Sequence, residues 1–163
     1  MSRPRKVNGL VKAELMPSGP FPTYPRVKGS AARGLSFQRR VRNYLRSAFV
    51  GRANVLDSPW IKYSDVSGSH WCQPDFIIDA PDRVIVVEAK LTLRRLGQAL
   101  VQLQSLYRPC VELVFDRPAV LCVAFHHWIH DVDTSAIPMV DEPEELLYPW
   151  HLRAPALYGW HFL

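Results

Sequence analysis

The 163-residue chain has little cysteine, three in all, and Cys72, Cys110 and Cys122 are widely spaced in apolar surroundings. An odd, scattered set excludes a disulfide framework and a zinc knuckle; it reads as three buried, reduced thiols of a cytoplasmic protein. No apolar run approaches the ~20 residues that a membrane-crossing helix needs, and the N-terminus lacks the apolar segment of a signal peptide. No membrane partner is expected. Internal repeats and low-complexity tracts are absent too. Acidic residues are almost missing from the first 52 positions, where Glu14 stands alone against twelve of the 20 Lys and Arg. That imbalance, within a formal net charge of +5, points to a polyanionic partner such as nucleic acid.

What is present suffices for one core, since 48% of the residues are hydrophobic and the length suits a single domain. Residues 1–33, rich in Pro, Gly, Ser and basic side chains without a sustained period, read as an extended basic arm. From a Ser36 N-cap, Phe37, Val41, Tyr44, Leu45, Ala48 and Phe49 recur at helical spacing, with Arg39, Arg40, Arg42 and Arg46 on the other faces. Strands are expected at 60–63, 75–79 and 84–90, the last two joined as a hairpin by Ala80-Pro81-Asp82. A second helix runs from a Thr92 cap to Tyr107, buried along Leu96, Leu100, Leu103 and Tyr107 and stopped by Pro109. Two strands, 110–115 and 119–125, complete a core over 34–130. The order αβββαββ predicts an α/β fold, a sheet with helices against it. Residues 131–163 form an acidic and aromatic extension whose LYPWHLRAPALYGWHFL tail is too apolar for a linker, so it docks on the domain or on a second subunit, which makes a homodimer an expectation.

The chemistry gathers in CQPDFIIDAPDRVIVVEAK, residues 72–90. Strand alternation sends Glu88 and Lys90 to one face and Ala89 to the other, and Asp75 opens the partner strand at the same end of the sheet. Two carboxylates and an ammonium at one mouth suit a Mg²⁺- or Mn²⁺-dependent hydrolase. Asp75, Glu88 and the Ala89 carbonyl supply hard oxygen ligands, while Lys90 serves the attacking water and, with the metal, stabilises the charge that develops on phosphorus.

With Pro74-Asp75 and, after a gap of a dozen or so residues, Glu88-Ala89-Lys90 closing an apolar strand, the sequence resembles the PD-(D/E)XK nuclease superfamily, restriction-endonuclease-like in fold and including RecB-like members. The resemblance covers roughly residues 35–125. It implies a central mixed sheet flanked by helices and a metal-dependent deoxyribonuclease, with an endonuclease of structure-directed or weak sequence specificity, acting on branched, nicked or single-stranded DNA, ahead of an exonuclease. A DNA-binding or assembly protein that kept the fold and lost full catalysis is the alternative from another class. A small stand-alone nuclease of this kind would suit a phage or mobile element. Where the first helix of that family often supplies an acid, this chain has Gln38. The second helix, which often carries a Gln and a Tyr facing the site, offers Gln98, Gln102 and Tyr107, with the gap from Gln102 to Tyr107 one residue longer than the RecB-like pattern. Arg94 and Arg95 in its first turn, with the four arginines of the first helix, are expected to meet DNA backbone.

Other polar residues read as structural. Asp79 leads into a turn, where Asp commonly bonds local backbone. Tyr63 and Asp65 belong to a strand and the turn after it. His126 and His127 would face opposite sides of a strand, which argues against zinc binding with His130, Asp131 and Asp133. Trp71, Trp128, Trp150 and Trp160 read as core or interface anchors.

Overall fold

A computed structural model describes residues 6–20, 30–127, 137–152 and 157–163. Trp128, His130, Asp131, Asp133 and the Arg95 side chain lie outside what is described. Two sheets organise the rest. The larger has six strands in the order β2-β5-β6-β7-β9-β8, made of Asn54–Asp57 (β2), Phe76–Asp79 (β5), Val84–Thr92 (β6), Ala119–His127 (β7), Met139–Val140 (β8) and Leu157–His161 (β9). Its β2-β5-β6 part is an antiparallel meander, and β6, β7, β9 and β8 run parallel, so the sheet is mixed. The smaller sheet is Lys12–Met16 (β1), Trp60–Asp65 (β3) and Gly68–Cys72 (β4), all antiparallel.

Helices cover both faces of the large sheet. The first, Ser30–Ala48 (α1), lays Phe37, Val41, Leu45 and the following Phe49 on one face, each no more than 2% exposed. Burying each such side chain contributes roughly 1.5–3 kcal/mol. They meet Phe76, Ile78, Ile85 and Val87, the alternate residues of β5 and β6. Ile77, Val84 and Val86 point the other way, to Leu96–Gln102 (α2), a π-helical turn at Leu103–Tyr107 and Arg108–Phe115 (α3). The continuous apolar character of β5–β7 follows from this double coverage. The small sheet packs its Ile61, Tyr63 and Cys72 into the same core as α3.

Several expectations need correction. The helix starts at Ser30 rather than Ser36, because Ala31, Ala32 and Arg33 are strong helix formers and one glycine, Gly34, costs only about 1 kcal/mol. Residues 12–16, placed in the extended arm, form β1 because β3 offers them a partner. The stretch 110–115 is the helix α3 and not a strand: Cys110 and Val111 face the core while Leu113 lies 47% exposed. Pro109 does not stop the helix, since it sits in the first turn of α3, where a missing N–H costs least. The order αβββαββ therefore gives way to β1, α1, five strands, α2, α3 and three strands. The tail docks on its own domain. Its strand β9 inserts beside β7, with Tyr158 and Trp160 buried, and the buried Arg83 holds the preceding turns by donating to the carbonyls of Leu146 (3.1 Å) and Tyr148 (2.7 Å). Cys72, Cys110 and Cys122 are free and buried. Among the described residues no helix is long and apolar enough to cross a membrane.

Candidate functional site

Asp75 immediately precedes β5, at the end of the sheet that Gln38 of α1 reaches. The hairpin sets its height: Phe76 pairs with Val87, so the residue before β5 lies level with the stretch 88–89 of β6. Its Oδ2 accepts the Ala89 N–H at 2.8 Å, and its Oδ1 accepts Nε2 of Gln38, from α1, at 3.1 Å. Gln38 thus does face the site. Beside Asp75, Glu88 is 4% exposed, and its Oε1 accepts Lys90 Nζ at 2.6 Å. The alternation of β6 turns Glu88 and Lys90 toward the face covered by α2 and α3.

The π-helical turn supplies the remaining wall. Residues five apart do not share a face of an α-helix, but a π turn bonds i to i+5. Gln102 Nε2 accordingly meets Tyr107 Oη at 2.5 Å, and Tyr107 donates onward to the Gln73 carbonyl at 3.1 Å. The extra residue between Gln102 and Tyr107 is absorbed here. The two main-chain links around the small-sheet hairpin also close on the site: Gln73 Nε2 donates to the Ser58 carbonyl and Ser58 N–H to the Asp75 carbonyl, both at 2.8 Å. Ser58 takes φ +49°, a left-handed conformation uncommon outside glycine, and its hydroxyl bonds Asp57 at 3.0 Å and receives Gln38 Nε2 at 3.4 Å. No sequence signal marked Asp57, Ser58 or Gln73, because each matters only through the insertion of β3 and β4 between neighbouring strands.

Electrostatically the cluster is short of positive charge. Burial, then the charge of Glu88, push the Asp75 carboxyl up to about 7, with Asp57 adding a smaller push in the same direction and the Ala89 N–H and Lys90 opposing it. Burial raises Glu88 as well, against the pull of Lys90. The Tyr107 hydroxyl is raised by burial and by both carboxylates, so it stays a neutral donor. Glu88 Oε2 is buried without a hydrogen-bond partner. A buried carboxylate oxygen with nothing to bind, next to a second carboxylate that resists ionising, fits a divalent cation as the missing partner. Asp75 and Glu88 are hard oxygen donors of the kind Mg²⁺ and Mn²⁺ take. Among the described residues no three His, Cys, Asp or Glu side chains converge, so such an ion would draw its other ligands from main-chain oxygen, water or substrate.

A cleft of about 870 Å³ is lined by Ala89 and Lys90, by Arg33 and Gly34 of α1, by Arg94, Gln98 and Gln102, and by His127. Arg94, Gln98 and Gln102 thus stand where the sequence put them. The arginines expected from α1 do not line it. Arg40 donates to the Leu163 carbonyl at 3.1 Å and lies over the Phe162 ring, Arg42 pairs with Asp57 at 3.3 Å, and Arg39 and Arg46 are exposed elsewhere on the helix. Arg33, which the arm boundary had set aside, is the α1 cation that faces the cleft.

The residues read as structural are so placed. Asp79 pairs with Arg117 at 2.5 Å. Asp65, buried, is held down to about 2, chiefly by the Ser67 hydroxyl. His126 bonds the Phe162 carbonyl.

No family model matches the chain, and no curated protein does. Among solved structures it is similar to the crystal structure of protein VC1899 from Vibrio cholerae, with a TM-score of 0.50 and 14% identity over 78% of this chain and 30% of that one. The chain therefore spans less than a third of that protein's length. At this identity the likeness bears on the fold alone, an α/β arrangement with a central mixed sheet flanked by helices.

Proposed function

We propose that the chain is a metal-dependent DNA nuclease with a restriction-endonuclease-like core. The observation that carries this reading is the meeting of Asp75, Glu88 and Lys90 around a buried carboxylate oxygen that has no partner. The topology supports it in an altered form: with the β3–β4 insertion set aside, α1, the β2-β5-β6 meander, α2 and α3, and β7 follow the helix, meander, helix, strand order of the PD-(D/E)XK core.

A divalent ion held by Asp75 and Glu88 would polarise a phosphoryl oxygen and lower the pKa of a bound water. The chain's own groups do the rest. Lys90 Nζ is the cation nearest the carboxylates, within reach of a water or a phosphate oxygen entering from the cleft. Gln38 fixes the Asp75 carboxylate through Oδ1 and the Ala89 N–H fixes it through Oδ2, which settles its orientation before substrate arrives. Tyr107, whose hydroxyl proton goes to the Gln73 carbonyl, anchors the Gln102 amide, and Gln102 keeps a second N–H suited to a phosphate oxygen or a water.

The test is cleavage of supercoiled plasmid, linear duplex, single strand and a four-way junction, with and without Mg²⁺ or Mn²⁺. Cutting is expected only with the metal, and Lys90→Ala and Asp75→Ala are expected to abolish it while leaving DNA binding largely intact. Cutting that survives both substitutions would sink the site assignment. The panel also separates endonuclease from exonuclease. A second reading, a DNA-binding or assembly protein with impaired catalysis, is favoured by Gln38, a neutral amide bonded to Asp75 where the family often has an acid. Binding without cutting in either metal would establish it.

A further inference from the structure

The nuclease reading leaves open which form of DNA the site takes, and the cleft bears on that question. Glu88 is 4% exposed, and its ion-pair partner Lys90 lines the cleft beside Ala89 and Gln102. A scissile phosphate that meets Lys90 therefore enters from this cleft. At about 870 Å³ the space lies near the top of the ~300–1,000 Å³ of clefts that enclose one drug-sized ligand, enough for a few nucleotides of one strand.

Its charge matches a strand backbone. Arg33, Lys90 and Arg94 come from three different elements, and among the described residues no acidic side chain lines the cleft. Among the described residues Arg33 and Arg94 have no ion-pair partner, whereas Arg40 and Arg42 on the outside of α1 are engaged with the tail and with Asp57. Gln98, exposed, and Gln102 add amide donors and acceptors, and the exposed His127 in the lining offers a ring on which a base can stack.

We propose that this cleft binds a single, unpaired DNA strand, with Arg33 and Arg94 holding the phosphates on either side of the one presented to Lys90. The inference rests on the nuclease reading for the fate of that strand, but binding tests it separately. Gly34 provides a plug: a Cβ added there meets nothing within 4 Å, so Gly34→Phe fills the cleft without disturbing the packing behind it.

The experiment measures fluorescence anisotropy of a labelled oligo(dT) of about twelve nucleotides and of a blunt duplex of the same length, in EDTA, over a range of salt concentrations. The wild-type chain is expected to bind the single strand at least about tenfold more tightly than the duplex. The Arg33→Ala/Arg94→Ala double variant should lose about tenfold or more in oligo(dT) affinity at low salt, and its log–log salt slope should fall by about 1.4, two phosphates at roughly 0.7 each. Gly34→Phe should lose binding to a similar degree with a melting temperature no lower than wild type, since a helical glycine has been replaced. Duplex binding as tight as single-strand binding, or a folded Gly34→Phe protein with wild-type oligo(dT) affinity, overturns the proposal. Tight oligo(dT) binding with no cleavage in Mg²⁺ or Mn²⁺ leaves the cleft assignment standing and overturns the nuclease reading instead.

Discussion

Replacing Asp75 by asparagine should make the metal-free protein more stable, and only at the upper end of the pH range. The carboxyl is displaced from its ordinary 3.8 to about 7 by burial and by the charge of Glu88. Between those values the folded state keeps a proton that the unfolded chain has released, so stability falls as the pH rises from about 4 through about 7. The ceiling on that loss is about 4 kcal/mol, roughly three pH units at ~1.36 kcal/mol each. Because Asp75 is partly open to water, about 1–3 kcal/mol is the realistic range. Asparagine keeps an oxygen for the Ala89 N–H, and Gln38 can turn its amide to accept from the new NH₂ group, giving up only its long 3.4 Å bond to the Ser58 hydroxyl. The assay is thermal unfolding in EDTA at about pH 5 and about pH 8. At the higher pH, Asp75→Asn should melt higher by ~2–4 °C for each kcal/mol gained, and at the lower pH the two proteins should melt together. Adding Mn²⁺ at about a hundred times its Kd should stabilise the wild type by about 2.7 kcal/mol and leave the variant unmoved, reversing the order at high pH. An asparagine variant no more stable than wild type at pH 8, or equally stabilised at both pH values, would refute the reasoning.

Two other outcomes follow from the same structure. Deleting the exposed Gln104 removes the residue that the π turn accommodates, so Gln102 and the tyrosine should meet four apart on an ordinary helix; melting is expected within a few degrees of wild type, whereas deleting the buried Val111 should abolish the cooperative transition by circular dichroism. All three thiols are buried, with Cys122 pushed up to about 12 and Cys72 raised first by its contact with Cys110 and then by burial. A disulfide reagent near neutral pH should therefore leave the native protein unmodified and titrate three thiols in urea, and fast labelling without denaturant would contradict the packing.

The cluster was legible because alternation and hairpin spacing are local. Val84 to Lys90 fixes which face Glu88 and Lys90 share, and the short turn after Asp79 fixes Asp75 beside them. Gln38 was marked only by the family resemblance, and its bond to Asp75 joins residues 37 apart, a long-range contact that no local pattern carries. Failures came where a local pattern had two physical solutions. Val111, Leu113 and Phe115 alternate as in a strand, yet α2 and the π turn run straight into α3 and carry that segment into the helical layer. Ser58 and Gln73 gained their roles from a hairpin inserted between β2 and β5, a long-range arrangement with no signature in neighbouring residues. Likewise Arg33 and Arg40 differ in function only because α1 begins earlier than its Ser36 suggested and because β9 brings Phe162 and Leu163 over Arg40.

The position of β9 also governs the order in which the sheet can be completed. It lies between β7 and β8, so β8, synthesised earlier, has no place to pair until residues 157–161 have left the ribosome and entered the sheet. Until then β7 presents an open apolar edge, Leu121 to Phe125, the kind of surface that recruits strands from other chains. The strand made after both of its neighbours is thus the one that seals the sheet.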